Sequence, residues 1–172
     1  MNMKHEKCRV LALDIRPQRA GYAVFENPKQ LLDAGIIRFS SLEKAGLRLS
    51  LLMMTYRPDV LVLRKPSIRN KRNHSDTRQI LLAAFRLAQR NSIEVVQITD
   101  RQFSEYIGAV QNKHETASRL AKLFPQLTWR LPPPRRTWQS ERRSMALFDA
   151  VAYGMTYFAF TQESESQMNL CP

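Results

Sequence analysis

The order of the strand-like runs constrains the fold of this chain more than any other feature of its sequence. Three runs lie close together near the start, and two more follow, each after a helical pattern. In chain order they are CRVLALDI, GYAVFE, LLDAGIIRF, DVLVL and IEVVQIT. Short turns between the first three favour antiparallel pairing, whereas each of the last two requires a helical crossover and therefore parallel pairing. The order βββαβαβ followed by helices predicts an α/β fold with a mixed five-stranded sheet and helices on both faces.

Element and domain boundaries follow from capping residues and from breaks in the apolar pattern. Helix caps are predicted at Ser40 or Ser41, at Ser75 or Asp76, and at Ser140. Gly35, inside the third strand, indicates a β-bulge. A single domain is predicted over residues 7–160, with a polar, flexible tail over residues 161–172.

A strong excess of positive charge narrows the choice of partner. The chain has 172 residues, a formal net charge of +12 and a sequence pI near 10.3, which favours a polyanion such as nucleic acid. No apolar run reaches the roughly 20 residues that cross a bilayer, so no membrane role is expected. Only two cysteines are present, Cys8 and Cys171, which is typical of a reducing compartment. We therefore predict a cytoplasmic, nucleoid-associated protein.

Two short windows contain most of the excess charge. Residues 64–78 contain six Lys or Arg against one Asp, and residues 130–143 contain five Arg against one Glu. Both windows contain turn-forming residues and are predicted to be loops that contact phosphates, with a solvated surface as the alternative. Trp129 and Trp138 could stack on an unpaired base, with a packing role as the alternative. The predicted nucleic-acid contacts are Arg64, Lys65, Arg69, Lys71, Arg72, Arg78, Arg135, Arg136, Trp138, Arg142 and Arg143.

Two aspartates are unusual because they end or interrupt apolar segments. Asp14 ends the first run, and Asp149 lies within MALFDAVAYGM, where an unpaired carboxylate would be costly. For Asp14, the alternative to a role in a site is a turn-forming residue that caps its own loop. For Asp149, the alternative to a bound cation is a salt bridge with a neighbouring arginine.

The order of elements, together with three motifs, resembles the RuvC-type Holliday junction resolvases of the ribonuclease H-like superfamily. The motifs are VLALDIRPQRAGYAVFE as the first hairpin, DVLVL as the fourth strand and FDAVAYGMTYF as the final helix. The resemblance implies a metal-dependent endonuclease that acts on branched DNA, with Asp14 and Asp149 as catalytic ligands of Mg²⁺ or Mn²⁺. It also implies a homodimer, because paired incisions across a junction require two sites.

Glu141 is a further candidate for the set of catalytic acids. It lies eight residues before Asp149, which is about 12 Å along a regular helix and too far for both side chains to hold one ion. The resemblance implies an acid or histidine about one turn before the final aspartate, where this chain has Met145 and Ala146. Glu141 therefore reaches the site only if the helix begins irregularly. The alternative is an acid at the helix N-terminus, where the dipole favours it.

Arg64 is where the chain departs from the resemblance. The fourth strand of the family ends in a bridging glutamate, and Arg64 occupies that position. An arginine cannot ligate a metal and remains protonated. Three explanations are open: the register is shifted, Glu141 partly replaces the missing ligand, or the nuclease site has decayed. In a decayed site we expect Arg64 to pair with Asp14 or Asp149, whereas in an active site it is turned away.

Three functions are consistent with these features. The leading prediction is a metal-dependent endonuclease on branched or structured DNA, because both central acids are present. The second is a catalytically decayed domain of the same fold that binds DNA or RNA without cutting it. The third is an interaction protein whose basic loops bind an acidic protein, which salt-sensitive binding to a panel of nucleic acids would distinguish from the other two.

Overall fold

The computed structural model describes residues 8–65, 74–108, 112–134 and 142–168, and within these ranges it contains five strands, five α-helices and one 3-10 helix, η1. In chain order the elements are β1 (Val10–Arg16), β2 (Arg19–Asn27), β3 (Gln30–Arg38), α1 (Leu42–Tyr56), β4 (Val60–Arg64), α2 (His74–Arg90), β5 (Glu94–Ile98), α3 (Asp100–Ile107), α4 (Lys113–Leu123), η1 (Pro125–Arg130) and α5 (Met145–Met168). This is the predicted order of strands and helices.

The five strands form one mixed sheet in the order β3-β2-β1-β4-β5. The β1–β2 and β2–β3 pairs are antiparallel, and the β1–β4 and β4–β5 pairs are parallel. Helices α1 and α2 provide the crossovers that the parallel pairs require. Strand β1 therefore lies at the centre of the sheet, and the predicted fold class is confirmed.

Helices cover both faces of the sheet, and alternate residues of β1 point to different helices. Leu11 and Leu13 belong to the buried cluster formed with α1 and α2, on what we call the α1 face. Val10 and Ala12 belong to the cluster formed with α4 and α5, on what we call the α5 face. Asp14 follows Val10 and Ala12 in this alternation, so its side chain points towards α5.

The β1–β2 hairpin is tighter than the sequence predicts. The apolar run indicates a strand that ends at Asp14, but the antiparallel ladder continues from Asp14–Gly21 to Arg16–Arg19. Only two residues then remain for the turn. As a result, Arg16 is the last residue of β1 and shares the α5 face with Asp14.

The helix starts agree with the predicted caps in one case and differ in two. Ser41 caps α1, where its Oγ accepts a hydrogen bond of 3.2 Å from the Lys44 N–H. Helix α2 begins at His74, so Ser75 and Asp76 lie within its first turn rather than at its cap. Ser140 lies outside the described residues, and α5 begins at Met145 after a short non-helical segment.

Helix α5 also ends later than the sequence predicts. It continues through Met168, whereas the apolar pattern ends near residue 160 and the following segment is predicted to be a flexible tail. Among the described helices, none combines the length and apolar character that crossing a bilayer requires.

The predicted bulge at Gly35 is wrong. The β2–β3 register shifts occur next to Phe25, and Gly35 pairs regularly with Tyr22. A Cβ atom at Gly35 would lie 2.7 Å from the Tyr22 ring, so the position is glycine because the cross-strand aromatic ring lies against it.

Candidate functional site

Asp14 lies at the end of the central strand, on the face that α5 covers. As a whole residue, Asp14 is only 9 % exposed. Directly across the ladder is Gly21, where a Cβ atom would lie 1.8 Å from the Ala146 carbonyl oxygen. The backbone of α5 therefore rests on the sheet beside Asp14, with no side chain between them.

Asp149 lies one turn further along α5 and is buried beside Asp14. Its exposed fraction is 8 %. The close contact at Gly21 fixes the first turn of α5 against the hairpin, so the two aspartates that the sequence singles out lie together.

A single arginine joins the two aspartates. The Arg16 Nε donates to Asp14 Oδ2 at 2.6 Å, and Arg16 Nη2 donates to Asp149 Oδ2 at 2.8 Å. These are short, charge-assisted contacts of the kind that a guanidinium makes with carboxylates. The Arg16 side chain is 19 % exposed and the two aspartate side chains are 12 % and 11 % exposed, so the ion pairs are largely shielded from water.

Lys113, the first residue of α4, provides a second cation. Its Nζ donates to Asp149 Oδ2 at 3.1 Å, and its side chain is 55 % exposed. Asn112 caps α4 by accepting a hydrogen bond from the Glu115 N–H, which places Lys113 at the helix start. We call Asp14, Arg16, Lys113 and Asp149 the aspartate cluster.

The charges of the aspartate cluster are balanced, with two carboxylates and two cations. Burial raises the pKa of Asp149 above its ordinary value, and repulsion from Asp14 acts in the same direction. Lys113 and Arg16 lower the pKa of Asp149 and thus offset part of this shift. The arrangement stabilises two neighbouring negative charges with protein cations, as the salt-bridge alternative for Asp149 predicts.

Tyr153, one turn after Asp149 on α5, connects the aspartate cluster to the end of β4. Its hydroxyl donates to Asp14 Oδ1 at 3.4 Å and accepts from Arg64 Nη1 at 3.5 Å. Burial, together with the charges of Asp14 and Asp149, raises the pKa of the Tyr153 hydroxyl. Tyr153 is therefore a neutral group between Asp14 and Arg64.

Arg64 occupies the predicted position but contacts a different acid. Its Nε donates to Asp100 Oδ1 at 2.9 Å, and its guanidinium lies 5.7 Å from the centre of the Phe103 ring. Asp100 is the first residue of α3, directly after β5. Its carboxylate lies on the side of Arg64 that faces away from Asp14. Tyr153 separates Arg64 from the aspartate cluster on the other side.

The expectation that a decayed site would pair Arg64 with Asp14 or Asp149 is therefore not met. Arg64 is turned away, as expected for an active site, yet the aspartates are neutralised by Arg16 and Lys113. Neither of these residues was predicted from the sequence. Arg16 could have been predicted only if the strand were taken to continue to residue 16, because residues two apart on a strand share a face. No sequence signal indicates Lys113, since its position depends on how α4 packs.

The donor set of this site does not fit a two-metal centre. Among the residues that the structure describes, no group of three or more His, Cys, Asp or Glu side chains could hold a metal ion. The two carboxylates already bind Arg16 and Lys113, and β4 ends in the cation Arg64, where the resemblance implies an acid. Glu141 lies outside the described residues, so its role as a ligand stays a prediction.

Apart from Arg64, the predicted nucleic-acid contacts fall into three groups. Lys65 follows β4, and Arg142 and Arg143 precede α5; all three are exposed at the edge of the sheet that holds the aspartate cluster. Arg78 is exposed on α2, which packs on the opposite face. Six other predicted contacts lie outside the described residues: Arg69, Lys71, Arg72, Arg135, Arg136 and Trp138.

Comparisons with known proteins detect the fold through structure rather than sequence. No protein-family model matches the chain, and no curated protein sequence matches it. RuvC of Thermus thermophilus, in complex with a Holliday junction substrate, is similar with a TM-score of 0.70 and 18 % identity, over 91 % of this chain and 96 % of that one. The yeast mitochondrial Holliday junction resolvase has a TM-score of 0.71 and 10 % identity, over 96 % of this chain and 85 % of that one.

A viral enzyme extends the comparison. The fowlpox virus resolvase, in complex with Holliday junction DNA, has a TM-score of 0.59 and 12 % identity, over 88 % of this chain and 99 % of that one. At such low identities the likeness concerns the fold and not the chemistry. Over about nine-tenths of its length, this chain is structurally similar to RuvC and other Holliday junction resolvases and has their ribonuclease H-like fold.

Proposed function

We propose that this protein binds branched DNA through its RuvC-like fold and does not cleave it by a two-metal mechanism. The observation that carries the proposal is the contact of Arg16 with both Asp14 and Asp149. In this arrangement a protein cation stands where a nuclease of this fold would need divalent ions.

The electrostatics favour Arg16 over a metal at this position. Two unit charges about 4 Å apart interact by roughly 4 kcal/mol at an effective dielectric constant near 20, and the second charge of a divalent ion would double its repulsion from the Arg16 guanidinium. An ion bound to Asp14 and Asp149 would have to displace Arg16 and would then be repelled by it and by Lys113. Magnesium also requires several oxygen ligands in a near-octahedral arrangement, and the two carboxylates would supply few of them.

Nucleic-acid binding is supported by charge and by position. The net charge of +12 is concentrated in two windows, and one of these begins at Arg64 and Lys65 beside the aspartate cluster. Arg142 and Arg143 are exposed just before α5, on the same side of the sheet. Two structurally similar proteins form complexes with Holliday junctions, which supports branched DNA as the ligand. A homodimer stays a prediction from the resemblance.

A metal-dependent endonuclease is the second candidate. It is favoured by the convergence of Asp14 and Asp149 on one buried site and by the position of Arg64, which pairs with Asp100 rather than with either of these carboxylates. This candidate requires Arg16 to leave the aspartates and a further ligand, such as Glu141, to approach.

A combined binding and cleavage assay separates the two candidates. Under the proposal, the wild-type protein binds a four-way junction more tightly than a duplex of equal length and cleaves neither with Mg²⁺ or Mn²⁺. Asp14→Asn should then leave junction binding within about twofold. Metal-dependent cleavage that Asp14→Asn abolishes would establish the nuclease instead.

The contribution of the basic residues is measured by the salt dependence of binding. Arg142→Gln with Arg143→Gln should weaken binding and lower the slope of log K against log salt by about one unit for each lost phosphate contact. The matched control is Arg86→Gln with Arg90→Gln, two exposed arginines near the end of α2, at the opposite edge of the sheet. Equal effects of the two double variants would contradict a defined binding face, and equal affinity for junction and duplex would contradict branched DNA as the preferred ligand.

A further inference from the structure

An exposed tryptophan lies near the end of η1. Trp129 is 76 % exposed, the largest exposed fraction among the large apolar side chains in the described part of the chain. Tryptophan is a residue type enriched at interfaces, because its ring is apolar and its N–H can still contact water or a partner. The packing alternative for Trp129 in the sequence analysis is therefore not supported by its position.

One neighbour of Trp129 is a stacked arginine. The Arg130 guanidinium carbon lies 4.4 Å from the centre of the indole ring, a cation–π contact. Arg130 Nη1 also donates to the Ala34 carbonyl oxygen at 2.9 Å. The guanidinium is thus held between the edge strand β3 and the indole.

The backbone that carries the pair is anchored to the core. Leu127, in the middle of η1, is 2 % exposed, and Gln126 Nε2 donates to the Leu31 carbonyl oxygen at 2.7 Å. Trp129 and Arg130 therefore lie on a fixed turn attached to β3, and little conformational freedom is lost when a ligand binds to them.

The pair is also close in the chain to the aspartate cluster. Three residues after Trp129, the Pro132 carbonyl oxygen accepts a hydrogen bond of 2.9 Å from His114 Nε2. His114 follows Lys113, which contacts Asp149. The described start of the basic window, residues 130–134, therefore passes beside the start of α4.

We propose that Trp129 and Arg130 form a platform on which an unpaired base stacks. The inference rests on the proposed nucleic-acid binding and narrows its ligand to branched DNA with unpaired nucleotides. Every base has an aromatic face, so an exposed ring in a positively charged groove binds single strands with little sequence preference. Arg130 supplies positive charge at the ring itself, and the net charge of +12 on the chain favours nucleic acid over an apolar protein partner.

Fluorescence tests the platform directly. The chain has two tryptophans, so Trp138→Phe leaves Trp129 as the only one. A junction or gapped duplex with unpaired thymines should quench its emission, whereas a fully paired duplex should not. In the same background, Trp129→Ala should weaken binding of the gapped substrate about tenfold and leave duplex binding unchanged, while Trp129→Phe should retain most of the affinity.

A matched control is available on the preceding helix. Leu123, at the end of α4, is 59 % exposed, and Leu123→Ala should leave binding of both substrates unchanged. An emission of Trp129 that does not change on binding, or an equal loss of duplex and gapped binding in Trp129→Ala, would overturn the platform alone. A changed oligomeric state in Trp129→Ala, with unaltered DNA binding, would assign the indole to a protein interface and overturn it as well. A wild-type protein that binds no nucleic acid would overturn the proposed function together with the platform.

Discussion

Two carboxylate sites lie on opposite faces of the sheet and are stabilised by different kinds of donor. On the α5 face, Asp14 and Asp149 bind the cations Arg16 and Lys113. On the α1 face, Asp33 of β3 accepts hydrogen bonds from the neutral hydroxyls of Tyr22 and Tyr56.

The difference shows what each site requires. Asp33 is a single partly buried carboxylate, and the side chains that donate hydrogen bonds to it are the hydroxyls of Tyr22 and Tyr56. Two carboxylates in one buried site stay ionised together only with positive charge close to both, since otherwise one of them takes up a proton. Arg16 meets that requirement with one side chain, so its loss should be more damaging than the loss of any single donor to Asp33.

The largest effect is expected for Arg16→Met. The substitution leaves two buried carboxylates without their shared cation, and removing one partner of a buried ion pair costs about 3–5 kcal/mol of unfolding free energy. Unfolding in guanidinium chloride would measure this loss of unfolding free energy. The control is Arg101→Met, which breaks a surface pair in which the arginine side chain is 87 % exposed and should cost less than about 1 kcal/mol.

A rescue variant strengthens this test. Adding Asp14→Asn and Asp149→Asn to Arg16→Met removes the uncompensated charges and should recover part of the lost stability. If Arg16→Met costs no more than the Arg101 control, Arg16 does not compensate the aspartates in the way the structure indicates.

A smaller effect is expected for Tyr56→Phe on the other face. The ring remains, while Asp33 loses one donor and keeps the Tyr22 hydroxyl and the Ala34 N–H. A loss of about 1 kcal/mol is expected near neutral pH. Tyr106→Phe, which removes a hydroxyl that does not contact Asp33, is the control.

The same variant has a distinct pH dependence. The hydrogen bond to Asp33, followed by burial, raises the pKa of Tyr56 to about 12, above its ordinary value near 10. The folded-state pKa exceeds the unfolded one, so the stabilisation is complete below about pH 10 and is lost as the pH rises towards about 12. The difference in unfolding free energy between wild type and Tyr56→Phe should shrink over that range. A constant difference would show that the hydrogen bond to Asp33 does not raise the pKa of Tyr56.

The smallest effect is expected for Lys113→Met. Its side chain is 55 % exposed, and pairs in contact with water contribute less than about 1 kcal/mol. Lys122→Met, in the last turn of the same helix, is the control for altered helix propensity. A loss as large as that for Arg16→Met would show that both cations, and not Arg16 alone, maintain the aspartate cluster.

The fold could be predicted because its signals are local and repeated. Runs such as DVLVL and the spacing between strands determine which pairs are parallel, and no knowledge of side-chain packing is needed. The first residues of the helices were harder to predict. Several polar residues near His74 and Met145 could serve as caps, and which residue begins the helix depends on how the helix packs on the sheet.

The candidate site could be predicted only in part. Asp14 and Asp149 are conspicuous because an acid in an apolar run has few structural explanations. Arg16 is not conspicuous, because arginines are common near turns, and its role appears only when the hairpin is seen to continue to residue 16. The partner of Arg64 depends on Asp100 and Tyr153, which come from two different helices, and no sequence pattern indicates that they meet.

Helix α5 has a consequence for the synthesis of this protein. It covers the face of the sheet that includes Val10, Ala12, Ala23 and Phe25, yet more than a hundred residues separate it from β2. At a synthesis rate of roughly 5–20 residues per second, the ribosome needs on the order of 6–24 seconds to reach α5, and this apolar face stays uncovered during that time. During that interval it is open to chaperones and to other nascent chains. Helix α5, which places Asp149 beside Asp14, therefore also protects the nascent chain from aggregation once it packs on the sheet.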